Sequence, residues 1–101
     1  MGCRVVVITE EWDYFRDELE SLCAELDRRG IECRILDLRD DESTRLIIKY
    51  GIENGIVRIP QIYVISDGNV KRIRYEVTKN VRLNLESLIN HIMSSEVCGR
   101  E

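Results

Sequence analysis

Apolar residues are spaced along this chain with a period that changes from segment to segment. Within residues 4–9, Val5-Val6-Val7-Ile8 is an unbroken β-branched run, which predicts a strand covered on both faces, as in the centre of a parallel sheet. Next, Trp12, Phe15, Leu19, Leu22, Cys23 and Leu26 recur at helical spacing and form one apolar stripe. Thr9 offers a hydroxyl cap for that helix, Glu10, Glu11 and Asp13 put acid at its positive end, and Gly30 is a suitable stop. Residues 31–38 mix apolar and charged side chains, as a less buried, edge-like strand does. A strand, a helix and a second strand make a βαβ unit, for which parallel pairing with a right-handed crossover is expected.

The pattern then repeats with shorter elements. Asp40-Asp41-Glu42-Ser43 opens a second helix carrying Leu46, Ile47, Ile48 and Tyr50, and Gly51 and Gly55 break it. Residues 56–60 read as a short connection into a third strand over residues 61–66. Asp67-Gly68-Asn69 is a hairpin turn, and residues 70–75 return as a strand on which Lys71 and Arg72 would discourage unwanted edge pairing. A last helix is expected over residues 81–95, with Leu85, Leu88, Ile89, Ile92 and Met93 inward, and a frayed tail over residues 96–101. The predicted order is β-α-β-α-β-β-α in one α/β domain, without repeats or low-complexity linkers.

Composition narrows the function classes. The chain has 101 residues, 44% hydrophobic and 34% charged, which excludes a disordered chain and a membrane span. No export signal is read at the start, so a cytoplasmic protein is expected. A net charge of -4 argues against bulk attraction to nucleic acid, and the local basic group Lys71, Arg72, Arg74, Lys79 and Arg82 is read as a solvated, edge-protecting face. Abundant Arg, Glu and Ile with a single Gln resembles proteins of hot-environment organisms. Cys3, Cys23, Cys33 and Cys98 show no Cys-x-x-Cys spacing, and His91 is the single histidine, so no metal site or cofactor is expected. Four thiols allow three complete pairings. Cys3 and Cys33 open strands expected to be neighbours, which makes a bridge between them a candidate; Cys23 reads as a buried inert thiol, and Cys98 as a free one able to join two chains.

The segments Lys49-Tyr50-Gly51-Ile52 and Val57-Arg58-Ile59-Pro60-Gln61-Ile62-Tyr63-Val64 resemble the stretch through the cis-proline of thioredoxins and glutaredoxins. The predicted order and chain length are similar to that family as well. The resemblance implies a thioredoxin-like fold with a four-stranded mixed sheet flanked by helices, a cis Ile59-Pro60 bond, and a backbone at Ile59 presented to an extended peptide or to glutathione. From the residues alone, a trans proline beginning a strand is the other reading.

Where the family carries Cys-x-x-Cys, this chain has Trp12-Asp13-Tyr14-Phe15, and the glycine pair that holds glutathione in glutaredoxins is absent. Indole and phenyl groups cannot replace a thiolate nucleophile. The expectation is therefore a redox-inactive module binding a protein or peptide between residues 9–15 and the Ile59-Pro60 turn. Trp12, Asp13, Tyr14, Arg58, Ile59 and Pro60 are its candidate contacts, and glutathione is the weaker ligand. An atypical thiol-disulfide oxidoreductase using Cys3, Cys33 or Cys98 is the competing class, and a structural homodimer module the third.

Overall fold

The computed structural model describes residues 2–95; the expected tail, with Cys98, lies outside them. Its order is β1 (Arg4–Ile8), α1 (Arg16–Arg28), β2 (Glu32–Leu36), α2 (Asp41–Leu46) continued by a π-helical turn (Ile47–Gly51), β3 (Ile52–Glu53), β4 (Ile56–Val57), β5 (Gln61–Ser66), β6 (Asn69–Ile73) and α3 (Leu85–Met93). The main sheet has four strands in the order β2-β1-β5-β6. β1 runs parallel to β2 and antiparallel to β5, and β5 is antiparallel to β6. The result is a mixed α/β architecture with a four-stranded mixed sheet and three helices.

The β-branched run of β1 lies where its pattern requires, with Val5, Val6, Val7 and Ile8 all fully buried. Alternation divides them between two faces. Val5 and Val7 join Ile62, Val64 and Ile73 beneath Leu19, Leu22 and Leu26 of α1 and Leu88 and Ile92 of α3. Val6 and Ile8 join Tyr63 beneath Leu46 and Ile47 on the α2 side. β2 is the half-exposed edge its mixed composition predicts.

Four local readings are corrected. Helix α1 begins at Arg16 rather than beside Thr9. The Asp13 carboxylate accepts from the Phe15 amide (2.9 Å) and from the Thr9 hydroxyl (2.5 Å), and this local turn holds residues 9–15 out of the helix. Trp12 is thus outside the apolar stripe, while Phe15 stays half-buried against the core. A small hairpin, β3 paired with β4, occupies the expected connection. Asn54 (φ 55°) and Gly55 (φ 76°) form its turn, the left-handed pair that a two-residue hairpin needs. Helix α3 starts at Leu85, where the Asn84 side chain accepts from the Ser87 amide at 3.1 Å.

The fourth correction concerns sulfur. Cys33 is bonded to Cys23, not to Cys3, with Cα atoms 5.1 Å apart. Cys33 stands opposite Val5 in the β1–β2 register, so its side chain points to the α1 face, where Cys23 lies on the stripe. Cys3, two residues before Val5, falls out of register with it. Cys23 is accordingly not an inert thiol, Cys3 is itself disulfide-bonded, and no described cysteine is free.

Candidate functional site

One end of the sheet gathers the candidate residues. Ile8 ends β1 opposite Gln61, the first residue of β5, and Leu36 ends β2 opposite Ile8. Ile62 pairs with Ile73, the last residue of β6. Continuing these registers sets Thr9 on one flank of Pro60 and Tyr75 on the other. The Ile59-Pro60 bond is cis, Pro60 is buried, and Ile59 is half-exposed.

The loop before Pro60 is held from below. Gln61, itself buried, donates from Nε2 to the carbonyls of Gly51 (3.0 Å) and Arg58 (2.9 Å). Its Oε1 accepts from the Tyr63 hydroxyl at 2.6 Å. A Cβ at Gly51 would collide with Gln61 Oε1 and come within 2.8 Å of the Tyr63 hydroxyl, so glycine is required there by close approach. This network fixes the Arg58 carbonyl and leaves the next residue outside every ladder. The N–H and C=O of Ile59 form no hydrogen bond among the described residues.

The six predicted contacts do not line one cavity. Trp12 lies towards β2 and Arg58 towards β6, with Pro60 between them by register. At the β2 side, Trp12 is 74% exposed and borders a hollow of about 210 Å³ with Arg16, Ile35, Asp37 and Arg39. Tyr14 is 68% exposed and packs edge-on against Phe15, centroids 5.1 Å apart. Asp13, by contrast, is buried and engaged as the turn's acceptor; it shapes the site and offers no exposed contact. Pro60 and Ile59 follow, and Arg58 borders a second cavity at the β6 side. With strands about 4.8 Å apart, the sheet end from β2 to β6 covers about 14 Å, the length of about four extended residues.

Tyr75, Arg72, Arg74, Glu53 and Asn54 also line the second cavity, and sequence reasoning did not place them at the site. Burial raises the Tyr75 hydroxyl pKa, assisted by the Asp13 charge and opposed by Arg72 and Arg58, so the phenol is a neutral donor within electrostatic reach of those three residues. The basic group read as one face is divided. Arg72 and Arg74 both bind Glu53, at 3.2 and 3.0 Å, whereas Arg82 turns to Glu18 at 3.2 Å.

Among the described residues, no helix is long and apolar enough to cross a membrane, and no His, Cys, Asp and Glu side chains gather to hold a metal ion. Comparison of the chain with models of known protein families and with curated proteins finds no match.

Proposed function

We propose that this chain is a redox-inactive, thioredoxin-like module that binds an extended segment of a protein or peptide across the end of its sheet. The observation that carries this reading is the unpaired backbone of Ile59, half-exposed beside a cis proline at the sheet end from which Thr9 leads into the exposed Trp12 and Tyr14. An N–H and a C=O presented together beyond the sheet are the donor and acceptor that an added strand uses. Trp12 and Tyr14 supply the large amphipathic surfaces that anchor partner side chains. The order of the main-sheet strands and the Ile59-Pro60-Gln61 segment support the thioredoxin-like assignment.

Thiol chemistry finds no support at this end of the molecule. The six candidate contacts contain no sulfur, and the bond between Cys23 and Cys33 ties α1 to β2 on the core face. The chain lacks the glycine pair that receives glutathione's carboxylates in glutaredoxins, so glutathione ranks below a polypeptide partner.

A display library of short extended peptides, read by fluorescence polarisation, tests the proposal. Peptides selected by the wild-type protein lose binding at least tenfold with the Trp12→Ala, Ile59→Asp double variant. Unchanged binding by that variant refutes the site.

A further inference from the structure

The cavity beside Arg58 carries a charge that its surroundings do not balance. It encloses about 280 Å³ between the β3–β4 hairpin and the end of β6, less than a typical cofactor site and adequate for one polar side chain. Three guanidinium groups, Arg58, Arg72 and Arg74, line it against a single carboxylate, Glu53. Glu53 is taken by Arg72 and Arg74 together. Arg58 forms no ion pair or side-chain hydrogen bond among the described residues. In a chain of net charge -4, this is a localised excess of positive charge in a recess, where low-dielectric walls concentrate the field.

The donors are of the kind that recognise a carboxylate. Arginine presents a planar fork of N–H groups suited to two-point bonding of a carboxylate, and Tyr75 and Asn54 add neutral donors on the same wall. Arg58 directly precedes Ile59, so a segment hydrogen-bonded to Ile59 passes the mouth of this cavity. We propose that the cavity receives an aspartate or glutamate side chain of the extended polypeptide bound at Ile59, with Arg58 as its principal partner. The inference rests on the strand-pairing reading above and adds the chemistry of the ligand: an acidic extended segment.

The test is an amide NMR titration of the intact protein with two capped hexapeptides, one alternating valine with glutamate and one alternating valine with glutamine. Inorganic phosphate is titrated in parallel. The glutamate peptide is expected to bind about tenfold more tightly than the glutamine peptide. Arg58→Gln should abolish that advantage, and Glu53→Gln, which releases Arg72 and Arg74, should enlarge it. Equal binding of the two peptides, each shifting Ile59, overturns the acidic specificity and leaves strand pairing standing. An advantage that survives Arg58→Gln overturns the assignment to this cavity. Phosphate displacing the glutamate peptide from Arg58 replaces the carboxylate with a phosphate ligand. Failure of both peptides to shift Ile59 removes the strand-pairing reading, and this inference with it.

Discussion

Gln61 and Tyr63 offer the sharpest test of how the site is supported. Tyr63 is fully buried and gives its hydroxyl proton to Gln61 Oε1 at 2.6 Å. Tyr63→Phe keeps the ring and its packing but leaves Oε1 buried without a donor, which costs about 1–3 kcal/mol. Gln61→Met removes the acceptor of the Tyr63 hydroxyl and both donations, to Gly51 and Arg58. Of the groups so released, the hydroxyl and the Gly51 carbonyl are buried, and the loss should reach about 3 kcal/mol. In the Gln61→Met background the hydroxyl is already orphaned, so adding Tyr63→Phe should cost nothing or recover a little stability. The double-mutant cycle therefore predicts a coupling of about 1.5–2 kcal/mol. Urea unfolding followed by far-ultraviolet circular dichroism measures it, because that signal reads the helices and not the exposed Trp12. Effects that add to within about 0.5 kcal/mol would refute the network as the support of the loop.

Further outcomes follow from the same structure. Gly51→Ala places a methyl group against Gln61 and the Tyr63 hydroxyl and should destabilise by about 1–3 kcal/mol, measured by the same urea titration. Replacing Cys23 and Cys33 together with alanine opens a loop of sequence separation 10. By the chain-entropy relation this lowers stability by about 2.7 kcal/mol, seen as a lower thermal midpoint under non-reducing conditions. Burial raises the pKa of both Tyr63 and Tyr75 in the folded state. Their contribution to stability is thus complete below the unfolded value of about 10 and declines as pH rises through the folded values. Alkaline titration should show late phenolate absorbance coinciding with unfolding, with the late signal reduced in Tyr75→Phe.

The main elements were legible because they obey simple periodicity. The four-residue β-branched run of β1 sits at the centre of the sheet, and the Asp67-Gly68 turn lies at the head of the β5–β6 hairpin, with φ values of 52° and 84°. The start of α1 was not legible. Acids before an apolar stripe read as a helix start, yet Asp13 satisfied the Phe15 amide and the Thr9 hydroxyl first. That local choice moved Trp12 from the helix face to solvent. The β3–β4 hairpin carried an unused signal, the Asn54-Gly55 dipeptide, hidden by strands only two residues long. Pairing of Cys33 depends on which face of β2 meets α1, a register that spacing alone does not supply. Arg58, Ile59 and Pro60 are site candidates read from the motif. Tyr75, Arg72 and Glu53 were not, because they come from β3, β6 and the segment after β6, and a run of basic residues does not reveal which acids its members meet.

Hydrogen exchange at the Ile59 amide decides whether that residue offers its backbone to an extended ligand. In the free protein that amide should exchange rapidly beside slowly exchanging neighbours in β5. On addition of a selected peptide it should become protected, while the indole N–H of Trp12 shifts in the same titration. Peptide binding that leaves the Ile59 amide as exposed as before would rule out strand pairing at Ile59 and place the ligand elsewhere on the molecule.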